Sequence, residues 1–340
     1  MALSDDIRPM EARSVETIPV GPQWQYEPKW DGFRCLLMRS GGQVALLSKS
    51  GQPLARYFPD IVAAAKAVGA TEFVLDGELV VQTGRSVSFD ALLQRIHPAK
   101  SRVDRLSQET PATFIAFDLL GERKPLLKEP LTSRRKALEA FARKHFKRVP
   151  SFRLSPATRE LREAKAWFAR AGDALDGIIA KRVDQPYASG ERTPSMVKIK
   201  NYRSADCVVG GFRYNSGTKV VGSLLLGLYD KKGLLHHVGF TSNLKVHEKP
   251  ALTKKLERMI APPGFTGDKP GGPSRWNSKR SAEWNPLRPE LVVEVSYDHF
   301  NGGRFRHGTS LLRWRPDKAP AQCTMDQLKQ KRANLESILS

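Results

Sequence analysis

Cysteine is scarce in this chain of 340 residues: Cys35, Cys207 and Cys323 lie far apart and form no CxxC pair. That leaves no basis for a disulfide framework or a thiolate zinc site. No apolar run approaches the roughly 18 residues of a membrane-spanning helix. The stretch Met1 to Arg13 is polar and partly acidic, without the apolar core of a secretory signal. A soluble cytoplasmic protein without membrane contact is the expectation. The seven histidines form no HExxH motif, and neither G-x-x-x-x-G-K-[ST] nor G-x-G-x-x-G occurs, which argues against a P-loop ATPase and a Rossmann enzyme. Internal repeats and low-complexity tracts are missing as well. Acidic residues are the last shortage: 35 Asp and Glu stand against 56 Lys and Arg, a net charge of +21. Such an excess points to a polyanion, either nucleic acid or an acidic membrane surface. The excess is +11 in residues 1–203 and +10 in residues 204–340, so it favours two basic domains over one basic tail.

The length itself predicts two domains. Residues 24–38 and 43–48 read as β-rich, Phe58 to Val68 as a helix, and Phe73 to Val81 and Phe114 to Leu120 as strands. Helical spacing returns over Ser133 to Lys147 and Arg159 to Ala171, followed by strand-like Gly177 to Lys181. This mixture predicts an α+β nucleotide-binding domain over residues 1–203 rather than regular βαβ repeats. From 204 to 320 the texture changes to short apolar runs at Cys207 to Phe212, Ser223 to Tyr229, Leu234 to Gly239 and Leu291 to Tyr297. One helix, Val246 to Ile260, interrupts them, and a Gly- and Pro-rich segment, Pro262 to Pro273, reads as an exposed loop. Five strands with a helix between the third and fourth fit an OB-fold β-barrel. Residues 321–340 read as a C-terminal amphipathic helix, running from Met325 to Leu339.

Five clusters carry chemistry: Glu27-Pro28-Lys29-Trp30-Asp31-Gly32-Phe33-Arg34, Asp76-Gly77-Glu78, Phe117-Asp118, Asp176-Gly177-Ile178-Ile179-Ala180-Lys181 and Met196-Val197-Lys198-Ile199-Lys200. A lysine that attacks a phosphoanhydride must be deprotonated, which requires burial or neighbouring cations; Lys198 and Lys200 are candidates beside Lys29. Asp-Gly is also the commonest two-residue hairpin turn. Asp76-Gly77-Glu78 therefore reads either as a hairpin or as a continuous strand, and in the strand both carboxylates share one face. That pair suits a ribose hydroxyl or a divalent metal. Phe117, in an apolar run, reads as core or as a ring that stacks on a base. Lys198 and Lys200 alternate with Val197 and Ile199, so on a strand both ammonium groups leave one face and can embrace a phosphate.

In order and content these clusters resemble the covalent nucleotidyltransferases, and among them the ATP-dependent DNA ligases of the short bacterial C-type. The resemblance runs from about Glu27 to Lys318. It implies a nucleotidyltransferase (ATP-grasp-like) domain followed by an OB-fold, with ATP and Mg²⁺ or Mn²⁺ as cofactors. By position, Lys29 resembles the nucleophile that becomes adenylylated, and Arg34 the contact to sugar and DNA 5′-phosphate. Glu27 matches the position whose backbone meets the adenine edge, Glu78 the ribose carboxylate and Phe117 the adenine-stacking aromatic. Lys198 and Lys200 match the phosphate-contacting pair, and Arg315 and Lys318, with Asp317, the groups that orient departing pyrophosphate. Asp31, Glu78 and Asp176 are the implied metal ligands, and Arg34, Lys49, Lys181 and Arg192 the implied DNA contacts. The sequence departs from the family pattern in Asp176 for Glu, Lys49 for Arg and Met196 for Trp, and in the spacing of its C-terminal basic motif. The implied partner is nicked double-stranded DNA, met by a monomer at the nucleoid, with a repair polymerase or end-binding protein as recruiter. The segment Phe117 to Arg135 favours DNA over RNA-cap chemistry. Two rivals stay open: an RNA ligase or mRNA-capping-type guanylyltransferase using the same lysine, and a non-catalytic nucleic-acid-binding module.

Overall fold

A computed structural model describes residues 7–84, 86–169, 175–271, 283–328 and 335–339. The chain separates into two compact units, residues 1–201 with 331–340, and residues 202–330.

The first unit holds two sheets. In one, the strands run in the order Glu11–Ser14, Arg192–Lys200, Leu175–Arg182, Trp24–Trp30. The main path of the other is Gln43–Ser48, Phe33–Ser40, Glu72–Thr83, Ala112–Glu122, Lys124–Pro125. The chain passes from the first to the second at Asp31-Gly32, and it turns tightly there: a Cβ on Gly32 would strike the Leu79 carbonyl oxygen.

Period-two patterning decides which side of the long strand meets what. Phe73, Leu75, Leu79 and Val81 pack with Ile61 and Ala65 of the helix Pro59–Ala67 and with Leu138 and Phe141 of the helix Leu131–His145. On the opposite face Val80 joins Ile115, Tyr26, Trp30 and Ile178, so the four-stranded sheet covers this side. Asp76 and Glu78 lie between Val74 and Val80 on that same face. Each Leu or Phe fully buried in these layers is worth roughly 1.5–3 kcal/mol. Of the two readings of Asp76-Gly77-Glu78, the continuous strand Glu72–Thr83 is the one realised. Gly77 is required there because a side chain would meet the Ile115 carbonyl oxygen at 2.7 Å and Phe114 Cε1 at 2.8 Å.

The second unit is a five-stranded antiparallel path ordered Leu235–Thr241, Val221–Tyr229, Arg203–Tyr214, Val292–Tyr297, Ser310–Trp314. Its two edges meet where Thr241 pairs with Thr309, and Thr241 Oγ1 donates to the Thr309 carbonyl at 2.9 Å. In chain order the helix Lys249–Glu257 follows Leu235–Thr241 and precedes Val292–Tyr297, and it buries Leu256. This is the OB-fold arrangement.

Three expectations need correction. The helix expected from Val246 to Ile260 opens as a 3₁₀ turn and is α-helical only over Lys249–Glu257. The segment 262–271 is not simply exposed, because Phe265 within it is fully buried beneath Gly210 and Gly227; residues 272 and 273 lie outside the described residues. In place of one C-terminal helix, Met325–Leu328 is a 3₁₀ turn and Glu336–Leu339 a short helix, with 329–334 outside the described residues. The reason is anchorage: Gln327 hydrogen-bonds both backbone groups of Asp206, whereas Leu335 and Ile338 are buried in the core of the first unit. The helix Lys100–Glu109 had no expectation. No helix among the described residues is long and apolar enough to cross a membrane.

Gly77→Ala is expected to lower stability by about 1–3 kcal/mol through overpacking against Phe114; urea unfolding measures it, and an unchanged midpoint would contradict the packing described.

Candidate active site

Lys29 is the next-to-last residue of the strand Trp24–Trp30 and is only partly exposed. Its Nζ contacts Asp176 Oδ2, and Lys200 Nζ lies 3.7 Å from the same oxygen. The register explains the meeting. Leu175 pairs with Trp30 and Gly177 with Lys29, so Asp176 is an extra residue in the ladder. Such a bulge re-aims a side chain, and here it brings Asp176 to the lysine. Gly177 permits it with a φ of 139°.

A second bulge places Phe117. Asp76 pairs with Asp118 and Gly77 with Ala116, leaving Phe117 without an opposite residue. Its ring carries Arg34 Cζ at 4.5 Å and Lys181 Nζ at 4.7 Å from the centroid. Arg34 stands opposite Glu78 in the register, and Asp76 grips it through Nε and Nη2, both at 2.6 Å. Burial opposes the Arg34 charge, but Asp76 outweighs it and holds the pKa above its ordinary value.

Glu27, Lys29, Arg34, Lys49, Glu78, Phe117, Lys181 and Lys198 line one cleft of about 800 Å³ in the first unit. Asp31 is buried and adjoins it, adding its charge to the field at Glu78. Burial pushes the Glu78 carboxyl up to about 7, against the pull of Lys29 and Arg34. Lys198 is shifted downward, first by burial and then by Lys29 and Lys200. Among the described residues, no three His, Cys, Asp or Glu side chains gather closely enough to hold a metal ion by themselves.

Several of the cations expected to bind phosphate or DNA are held by carboxylates, and two of these, Glu11 and Asp206, the sequence gave no reason to single out. Lys49 and Arg192, both well exposed, meet on Glu11, the former at 3.2 Å. Lys181 is buried, its Nζ 2.7 Å from Glu27 Oε2, so its ammonium is paired in the cleft wall rather than presented on the exposed surface. In the second unit Arg315 Nη1 and Lys318 Nζ converge on Asp206 at 2.9 and 2.6 Å. Asp317 takes Arg315 Nη2 at 2.8 Å. Tyr187, whose hydroxyl donates to Asp76 at 2.5 Å, carried no motif or periodic signal.

The model of the ATP dependent DNA ligase domain matches residues 9–200, and that of the ATP dependent DNA ligase C terminal region matches residues 217–318. The chain belongs to the ATP-dependent DNA ligase family. DNA ligase C2 of Mycolicibacterium smegmatis is 43% identical to this ligase over 339 residues, covering 95% of this chain and 94% of that one. DNA ligase C of Mycobacterium tuberculosis is 42% identical over 338 residues, 95% and 93% of the two chains. The multifunctional non-homologous end joining DNA repair protein LigD of Mycobacterium tuberculosis is 32% identical over 305 residues, 88% of this chain but 37% of its own. A solved Lig E DNA ligase, described as binding DNA with a minimal scaffold, shares the fold with a TM-score of 0.56 at 16% identity, covering 91% of this ligase and 99% of itself.

The Glu78 shift makes a stability prediction. The folded ligase binds this proton more tightly than the unfolded chain does, so the contribution is whole below about pH 4.5 and is lost as pH rises through about 7. Glu78→Gln should match the parent near pH 5 and exceed it by about 2–3 kcal/mol near pH 8 without nucleotide or metal. Denaturant unfolding across pH checks this; a difference independent of pH contradicts it.

Proposed function

We propose that this ligase seals nicks in duplex DNA through three phosphoryl transfers centred on Lys29. Lys29 Nζ attacks the α-phosphorus of ATP; the P–N bond forms, the α–β anhydride breaks, pyrophosphate leaves and the nitrogen gives up its proton. A 5′-phosphate oxygen at the nick then takes the AMP, breaking the P–N bond as the lysine nitrogen regains a proton. The 3′-hydroxyl finally attacks that 5′-phosphorus, gives up its proton and releases AMP. The observation that carries this reading is the cleft itself, in which Lys29, Arg34, Glu78, Phe117 and Lys198 line one volume.

Within it Phe117 offers a face to adenine, Glu27 frames the base edge and Glu78 accepts from ribose. Lys198 and Lys200 neutralise phosphate. Arg315, Asp317 and Lys318 belong to the second unit, and the role we assign them is that of orienting pyrophosphate. Positioning and charge neutralisation carry most of such catalysis. Arg34, Lys49 and Arg192 are the DNA contacts we favour; the exposure of the last two suits an exchange of Glu11 for backbone phosphate. Lys181, paired with Glu27, serves the floor of the nucleotide pocket. The carboxylates of Asp31, Glu78 and Asp176 fit Mg²⁺ or Mn²⁺ as hard oxygen donors, one or two of them completing a shell with phosphate oxygens. When bound, the ion supplies charge neutralisation at those phosphates. A repair setting is supported by the likeness to LigD. We place the ligase at the nucleoid as a monomer, recruited by a repair polymerase or an end-binding protein.

Incubation with α-labelled ATP and Mg²⁺ or Mn²⁺ should label the protein, and nicked duplex DNA should discharge the label as the strand is sealed. Lys29→Ala should lose labelling by at least about a thousandfold, the order expected for removing a covalent nucleophile. Discharge by nicked RNA alone would move the assignment to RNA joining, and no label with either metal would leave a binding module.

A further inference from the structure

Arg34 is aimed by a chain of polar groups that starts at the cleft wall, which Arg34 and Met10 line, and runs through buried Asp76 and Tyr187. Asp76 holds its guanidinium through both carboxylate oxygens. Asp76 Oδ2 accepts a further bond, from the Tyr187 hydroxyl at 2.5 Å. The phenol oxygen in turn accepts the Met10 backbone N–H at 2.8 Å, and the Met10 carbonyl accepts from Arg34 Nη2 at 3.4 Å. Arg34, Asp76, Tyr187 and Met10 thus close a ring of hydrogen bonds.

Tyr187 is itself braced. Its backbone N–H donates to the Leu127 carbonyl at 2.8 Å, and the Arg134 guanidinium lies 5.7 Å from its ring centroid. Arg134 is fixed by Asp118 at 2.9 and 3.1 Å. Asp76, Asp118, Arg134 and Tyr187 are all more than nine-tenths buried. Burial raises the Tyr187 pKa well above its ordinary value, with the Asp76 charge adding to the effect, so the phenol remains a donor.

A buried tyrosine ordinarily finds some partner for its hydroxyl. What sets this one apart is that its partner is the carboxylate that orients Arg34. With two donors on Oδ2, the carboxylate is restrained from turning about its Cβ–Cγ bond; with the guanidinium alone, both can swing together. The long arginine side chain then loses its fixed direction toward the cleft.

We propose that Tyr187 is a positioning residue for Arg34: through Asp76 it fixes the guanidinium where the 5′-phosphate of the nick is received, and so governs AMP transfer to DNA more than lysyl-AMP formation. The proposal rests on the assignment of Arg34 to that phosphate made above. The asymmetry follows from charge, because a dianionic phosphate depends on the placement of a cation more than a ribose hydroxyl does.

Rapid-quench measurement of the two steps tests it. In Tyr187→Phe, which keeps the ring, lysyl-AMP formation should stay within about twofold of the parent. Transfer from preformed enzyme-adenylate to nicked duplex should slow about tenfold, the scale of one hydrogen bond to a charged group. Combined with Arg34→Lys it should add nothing further, since both changes act through one guanidinium. Unchanged transfer, equal slowing of both steps, or effects that multiply would overturn the proposal. Asp76→Asn probes the same link from its other side and serves if Tyr187→Phe melts too low to assay; it must show the same step-selective loss, and equal loss at both steps overturns the proposal. A parent protein that forms no lysyl-AMP would defeat the functional reading itself, a result distinct from any of these.

Discussion

The contact between Lys29 and Asp176 joins neighbouring strands at the point where the chain leaves one sheet of the first unit for the other. The rest of the site depends on that placement. Gly32 lets the chain turn against Leu79, and the next strand then presents Arg34 opposite Glu78. Lysine and arginine, five residues apart, thereby come to line a cleft built from both sheets. The hydrophobic layer of Tyr26, Trp30, Val80, Ile115 and Ile178 holds the sheets together beneath it.

Much of this was legible because alternation is a strong signal. The faces of Asp76, Glu78, Lys198 and Lys200 follow from period two once a strand is granted, and the core helices announced themselves through Leu138, Phe141 and Trp167. The two bulges were not legible. Phe117 and Asp176 sit in apolar, strand-like text, yet each is the extra residue of its ladder. Their aim depends on which partner residues are skipped, and that is a property of pairing rather than of local sequence. The Asp-Gly pair at Asp176 proved to be the bulge that the positive φ of Gly177 allows.

Some partners were invisible for a related reason. Glu11 and Asp206 lie far in sequence from Lys49 and Arg315, as Tyr187 lies far from Asp76, and no spacing rule connects them. Together they show how a chain of net charge +21 manages the cations that we propose for phosphate. Glu11 holds Lys49 and Arg192, Asp206 holds Arg315 and Lys318, and Asp76 holds Arg34. Pairs at exposed positions contribute about 0–1 kcal/mol to stability, so exchanging Glu11 for a DNA phosphate costs little. The buried Asp76–Arg34 pair is of another kind: breaking it would strand a charge out of water, which suits a group whose task is to hold its direction. The same distinction separates residues that steer a nucleic acid from residues that set the geometry of the reaction.

Three lysines, 29, 198 and 200, share one neighbourhood: Lys29 and Lys200 both reach Asp176 Oδ2, and Lys198 is shifted downward first by burial and then by the charges of the other two. The central claim is that only Lys29 among them becomes the covalent carrier, because it both meets Asp176 and lines the cleft, whereas Lys200 meets Asp176 without lining the cleft and Lys198 lines the cleft without meeting Asp176. Digestion of the protein after incubation with ATP and Mg²⁺, followed by mass spectrometry, tests this directly. The account predicts AMP on the peptide that contains Lys29; AMP on a peptide containing Lys198 or Lys200, or on none, would contradict it.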